Sequence, residues 1–238
     1  MSEIDCWPLV CGATVKDGEQ PSEIIPGLYL SGNPARFEKN GSFVKNPSRH
    51  LLEVLGIRII ICCCAPPAAP PFSIEETETG TITACDDKST FYCEFTAAVT
   101  VEGNLLGRMN VPAQDNDEFD LFPFFEPAAD VLRRYHRDLG CPVLVHCQMG
   151  VSRSAAIVSA YLVSRFVGLP KALSPPMPCT SPAETTTTPN SSAPHVVLTD
   201  ILLLVEMRRT CVSPNPGFCK LLGKWEAHIL GERVRAGL

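Results

Sequence analysis

The stretch "VLVHCQMGVSRSAAIVSAYL", from Val143 to Leu162, constrains the fold more than any other. "CPVLVHC" is a short continuous apolar run, the pattern of a strand buried on both faces of a parallel sheet. A helix is expected from Arg153 to Phe166. Only Gln148 to Ser152 lie between the two. The chain must therefore end a strand and start a helix through one tight loop. This unit belongs to an α/β fold, where ligands bind at the carboxyl ends of the strands. A helix N-terminus offers unpaired N–H groups and a partial positive charge. A loop as tight as Gln148–Arg153 can turn successive N–H groups toward one point and make an anion nest. Gly150 permits the backbone angles a nest needs. A thiol at its centre, Cys147, is expected to ionise more readily than usual. Arg153 adds a planar fork suited to two oxygens of a tetrahedral anion. A thiolate inside a phosphate cradle implies attack on phosphorus and a phosphocysteine intermediate.

The rest of the chain reads as one domain. "IPGLYLSGN" (25–33) reads as a strand between turns. "LLEVLGIRIIICCC" (51–64) reads as a short helix, a stop at Gly56 and a buried strand. "APPAAPPF" breaks the pattern. Between 73 and 102, "GTITAC" and "STFYCEF" could pair as a hairpin around "DDK", or the segment could be a loop. "LLGRMNVPA" reads as a strand. A helical pattern runs from Phe122 to Leu139, with Phe125, Ala128, Ala129 and Leu132 on one face and a kink expected at Pro127. Residues 171–194 are rich in Pro, Ser and Thr, a disorder-type composition. A helix is expected over Leu198–Arg209 with Thr199 as a candidate N-cap. A last one is expected after "SPNPGF", with Pro216 in its first turn, ending near Leu230. The expected organisation is an extension (1–23), a catalytic domain (24–232) with insertions at about 65–103 and 171–195, and a tail (233–238). The fold class is α/β, a mainly parallel central sheet flanked by helices.

Composition narrows the function classes. A net charge of −6 and a pI near 5.4 argue against bulk nucleic-acid binding. No apolar run is long enough to cross a bilayer, and "MSEIDCWPLV" lacks the features of a signal peptide. Twelve cysteines without framework spacing read as reduced thiols of a cytoplasmic protein, with nuclear access open. Cys62, Cys63 and Cys64 alternate faces on a strand, so all three cannot hold one metal. No metal-ligand cluster and no cofactor site stand out.

"HCQMGVSRS" resembles the His-Cys-x-x-Gly-x-x-Arg-Ser signature of cysteine-based protein phosphatases, most closely the dual-specificity phosphatase family and its small atypical members. "IPGLYLSG", "VPAQDNDEFDLFPFFEPAADVL" and "SPNPGFCKLLGKWE" resemble that family's early strand, acid loop with its helix, and closing helix. The resemblance implies Cys147 as nucleophile and Arg153 as the phosphate and transition-state ligand. The nest of Gln148, Met149, Gly150, Val151 and Ser152 would bind substrate. Ser154 would assist breakdown of the intermediate, and His146 would position the loop by hydrogen bonding. From composition, the general acid could be Asp115, Asp117, Glu118 or Asp120. The family's pattern selects Asp115 as acid and later base, while Asp120 looks like an N-cap.

The nest carries no Lys, and inositide-directed relatives place basic residues there. A phosphoprotein substrate carrying phospho-Tyr or phospho-Ser/Thr is therefore expected, with neither nucleic acid nor membrane as partner. The alternatives are a phosphatase for inositides or RNA 5′ ends, and a phosphate-binding module without turnover. If the strand of Cys62–Cys64 neighbours that of Cys147, one of Cys62, Cys63 or Cys64 could serve as its redox partner. Apolar core filling is the ordinary alternative.

Overall fold

The computed structural model describes residues 21–34, 54–65, 82–84, 93–99, 105–171 and 195–237. The strands are β1 (Ser22–Ile25), β2 (Leu28–Ser31), β3 (Ile59–Cys62), β4 (Ile82–Ala84), β5 (Cys93–Val99), β6 (Leu105–Asn110) and β7 (Val143–His146). They form one sheet in the order β1-β2-β7-β3-β6-β5-β4. The four central strands β2, β7, β3 and β6 are parallel to their neighbours. Antiparallel pairs at both edges make the sheet mixed.

Strand alternation divides the apolar residues between the two faces. Ile59, Ile61, Val143 and Val145 enter the main core with the helices. Ile60 and Leu144, register partners, join Ile57 and Leu106 in a smaller cluster. The helices are α1 (Phe125–Leu132), α2 (Arg153–Phe166), α3 (Leu198–Arg208) and α4 (Pro216–Ala236). α2 is buried on nearly its whole circumference, as its Ala, Ile, Val and Leu content requires. α4 packs on it, and Trp225 Nε1 donates to Ala160 O at 2.9 Å. No helix among the described residues is long and apolar enough to cross a membrane.

Several expectations change. The run 25–33 is half of a hairpin: β1 precedes it, and Pro26–Gly27 make the turn, with Gly27 at φ 75°. The "GTITAC" and "STFYCEF" pieces do pair, as β4 with β5, and β5 continues onto β6. The expected insertion at 65–103 thus contains two strands of the sheet. Pro127 causes no kink, because it falls in the first turn of α1, where an N–H has no partner within the α-helix. A 3-10 turn, Phe122–Phe124, leads in, and a π-helical segment, Arg133–Asp138, leads out. Thr199 lies inside α3; Asp200 caps it, accepting from Val197 N–H at 3.0 Å. Asp120 caps the 3-10 turn, accepting from Phe122 N–H at 3.1 Å. α4 continues through Ala236, so the expected tail is helical almost to its end. Most of the expected extension, the "APPAAPPF" break and the segment 172–194 lie outside the described residues.

His136 ties the hairpin turn to the central helix. Its Nε2 lies 2.7 Å from Pro26 O and its Nδ1 3.0 Å from Tyr161 Oη. Burial lowers its pKa, against the hydrogen bond to Pro26, and Arg165 adds to the lowering. The folded state therefore binds fewer protons than the unfolded one, where histidine titrates near ~6.5. This contribution to stability is complete above that value and declines as pH falls through the lowered folded pKa. The melting temperature is expected to drop as pH falls below about 6.5, and to drop less in His136→Gln. An equal drop in both proteins would remove His136 as the cause.

Candidate active site

The loop between β7 and α2 is held from outside by its carbonyls. Gln148 O accepts from Asn33 N–H at 3.2 Å, Val151 O from Ser213 N–H at 2.9 Å, and Ser152 O from Ala156 N–H at 2.9 Å. Gly150 O accepts from Arg209 Nε at 2.8 Å, and Met149 O from Arg209 Nη2 at 3.5 Å. Peptide geometry sends a carbonyl and its neighbouring N–H in opposite directions, so carbonyls tied outward leave N–H groups facing inward. Gly150 N–H reaches the Cys147 sulfur at 3.2 Å. Gly150 is at φ 68°, and a Cβ there would collide with the backbone of Ser31 and Gly32. Only glycine allows this turn to pack against the end of β2.

Cys147 is buried at the centre. Burial pushes its thiol pKa up, but four interactions outweigh it and leave the thiol below its ordinary value. These are the Ser154 hydroxyl, the Ser154 N–H, the Arg153 charge and the Gly150 N–H. Ser154 Oγ donates to Cys147 Sγ at 3.2 Å. The arrangement favours a thiolate.

The acid loop closes the opposite side. Of the four candidate acids, Asp115 is the one that meets this loop. Its Oδ1 accepts from Ser152 Oγ at 2.7 Å and from Asn215 Nδ2 at 3.2 Å. Its Oδ2 lies 3.4 Å from Arg153 Nε. That contact has ion-pair distance but not hydrogen-bond geometry, and the buried Nε makes no hydrogen bond. Asp117 and Glu118 lie exposed in the following turn, which Asn116 Oδ1 closes onto the N–H groups of Glu118 and Phe119. Asn215 links two functions: its Oδ1 caps α4 at Phe218 N–H (2.8 Å) while its amide holds Asp115. Gly217 brings the first turn of α4 against Asp117, whose backbone a Cβ would strike.

Gly150, Ser154 and Arg153 thus act on Cys147, and Ser152 and Asp115 join at Arg153, while Gln148 and Met149 face solvent and Val151 is half-buried. The side-chain hydrogen bond expected of His146 is not made through Nδ1, which is buried without a partner. It is the His146 carbonyl that anchors the strand end, accepting from Cys63 N–H at 2.7 Å. Arg209, Asn215 and Ser213 were missed in the sequence. A terminal arginine on a helix reads as a solvated charge near the C-terminal dipole, yet Arg209 is 1% exposed. Only "SPN" before "PGF" hinted at an N-cap. The expectation of no metal-ligand cluster also changes. Cys62 ends β3 and pairs in register with His146, Cys64 lies two residues past the strand, and the three ligand atoms lie within 4.8 Å of one another. The strands of Cys62 and Cys147 are neighbours, as a redox pairing would need. Cys64 is a poor thiolate, however: its hydrogen bond with Cys62, then burial, pushes its pKa up.

Residues 78–172 match the family model for the dual specificity phosphatase catalytic domain. The chain is 44% identical over 62 residues to dual specificity protein phosphatase 26 of Rattus norvegicus, covering 26% of this chain and 29% of that protein. It is 24% identical over 235 residues to dual specificity protein phosphatase 1-B of Xenopus laevis, covering 99% of this chain and 44% of that protein. The chain therefore spans less than half the length of either relative. The solved structure of human DUSP28 has the same fold, with a TM-score of 0.53 at 19% identity over 88% of this chain and 95% of that one.

Proposed function

We propose that this chain, whose residues 78–172 match the dual specificity phosphatase catalytic domain, hydrolyses phospho-Tyr and phospho-Ser/Thr monoesters of proteins through a phosphocysteine intermediate. The observation that carries this reading is the Cys147 sulfur, which receives Gly150 N–H and Ser154 Oγ inside a loop whose carbonyls are tied outward. In the first step Cys147 Sγ attacks phosphorus and the ester P–O bond breaks. Asp115 gives its proton to the departing oxygen. The N–H groups of residues 148–153 and the Arg153 guanidinium hold the three remaining oxygens. In the second step water attacks phosphorus, Asp115 takes a proton from it, and the S–P bond breaks. Ser154 Oγ stabilises the departing thiolate, a role that fits its hydrogen bond to Cys147. Ser152 and Asn215 orient Asp115.

A protein substrate is supported by the nest residues Gln148–Ser152, which carry no cation, and by the net charge of −6. A panel of phosphotyrosine and phosphothreonine peptides, inositides, triphosphate-ended RNA and p-nitrophenyl phosphate tests it. Peptide turnover at least about tenfold above the inositides and RNA is expected, one decade being about 1.4 kcal/mol of transition-state preference. The reverse order would move the substrate class. No turnover on any of them would leave a phosphate-binding module.

Gly217→Ala tests the seating of the acid loop. A methyl group there must push Asp117 and its neighbours outward. Turnover of alkyl phosphates is expected to fall by about ten- to a hundredfold, the loss typical of a group displaced by about 1 Å. The rate of Cys147 alkylation should stay as in the parent. An alkylation rate that falls equally would place the damage in the nest instead.

A further inference from the structure

We propose that Cys62, Cys64 and His146 form a buried binding site for one zinc-class divalent ion, directly behind the catalytic loop, and that its occupancy suppresses turnover. The suppression rests on the phosphatase reading; the metal site does not.

The site is built by register. β3 and β7 are adjacent and parallel, with Cys62 opposite His146. Cys64, two residues past the end of β3, comes back beside Cys62 and His146. All three side chains are buried, and their ligand atoms lie within 4.8 Å of one another. Tetrahedral zinc with sulfur at about 2.3 Å and nitrogen at about 2.0 Å needs ligand atoms about 3.5–3.8 Å apart. The cluster need contract by only about 1 Å, less than one rotamer adjustment supplies. The second observation is independent of spacing. His146 is 1% exposed, and its Nδ1 is buried without a hydrogen-bond partner. A buried imidazole with unfilled hydrogen-bonding capacity is unfavourable, and metal ligation by this ring makes use of it.

The donor set selects the ion. Two sulfurs and one imidazole suit zinc and other soft or borderline ions, while calcium and magnesium require oxygen. Binding is balanced by proton release: each thiol loses its proton as its sulfur bonds to the ion, and neutral imidazole bonds through a lone pair. No electrons are transferred. Three protein ligands leave one position open. Cys147 follows His146 directly in the chain. An ion in this place ties His146 to the end of β3, and so fixes the strand end from which Cys147 and its loop begin.

The site is read first in the full chain carrying Cys147→Ser, which removes the competing thiolate. Cobalt is expected to give a sulfur-to-metal charge-transfer band, saturating at one equivalent and displaced by zinc. Cys62→Ser and Cys64→Ser should each weaken binding by about tenfold or more. Cys63→Ser, outside the three-residue cluster, should leave it unchanged. Binding indifferent to Cys62 and Cys64, or no charge-transfer band, overturns the site. Should serine at either position unfold the chain, X-ray absorption of the zinc-loaded Cys147→Ser protein answers the same question. A shell with two sulfurs and one nitrogen supports the site, and an all-oxygen shell overturns it. In the protein with Cys147 intact, zinc should lower turnover, and Cys62→Ser should raise the half-inhibiting concentration by about tenfold. Equal inhibition in both would place zinc on Cys147 itself and overturn the suppression. A chelator-treated protein with no turnover at all would sink the phosphatase reading, while the cobalt spectrum would still decide the site.

Discussion

Cys147→Ser is expected to abolish turnover, by on the order of 10⁶ as for removal of other catalytic nucleophiles, while fold and phosphate binding persist. Serine keeps the shape of cysteine within the nest. Its hydroxyl, however, stays protonated under the same four interactions that draw the thiol of Cys147 below its ordinary pKa. Phosphate affinity should survive, because the inward N–H groups and Arg153 remain. In the parent, the rising limb of kcat/KM with pH should follow the lowered Cys147 pKa and lie below the usual thiol range. Single-turnover kinetics with p-nitrophenyl phosphate and titration with inorganic phosphate read both halves. Activity within tenfold of the parent would remove Cys147 as the nucleophile. Lost phosphate affinity would show that the substitution had collapsed the loop instead.

Asp115→Ala is expected to slow alkyl phosphate hydrolysis by about 10²–10⁴, the usual worth of a general acid or base. Hydrolysis of p-nitrophenyl phosphate should fall much less in the first step, because nitrophenolate departs without a proton. The contrast between leaving groups separates acid catalysis from simple disorder of the loop. Disorder would damage both substrates, since Asp115 also receives Ser152 Oγ and Asn215 Nδ2. Asp117→Ala serves as the control: Asp117 is exposed, and it meets Gly217 of α4 through its backbone. A larger effect at Asp117, or equal losses on both substrates, would show the wrong acid had been assigned.

The unit from Cys141 to Phe166 was legible in the sequence because its constraints are local. A buried strand, a glycine at the one position needing φ > 0 and a helix start lie so close together that covalent geometry leaves few arrangements. β7, Gly150 and the bounds of α2 all fall where the pattern placed them. The early hairpin was not legible, because β1 and β2 are four residues each, too short for their alternation to separate from one strand. Pro127 misled for a related reason: its effect depends on where in the helix it falls, and composition does not show that boundary. The outer shell of the site was invisible for a different reason. Arg209, Asn33 and Ser213 are the partners of loop carbonyls, and sequence distance has no bearing on which donors packing brings to them. Asn215 reaches Asp115 only because Gly217 lets α4 close on the acid loop. The grouping of Cys62 and Cys64 with His146 likewise depends on parallel register between two strands far apart in the chain. The sequence by itself determined that Cys147, its tight loop and Arg153 lie together at a strand end and a helix start, because bonded neighbours carry them. The tertiary structure decided which acid meets the loop, which donors tie the loop's carbonyls and which side chains group beside His146, because those depend on packing and strand register between distant segments.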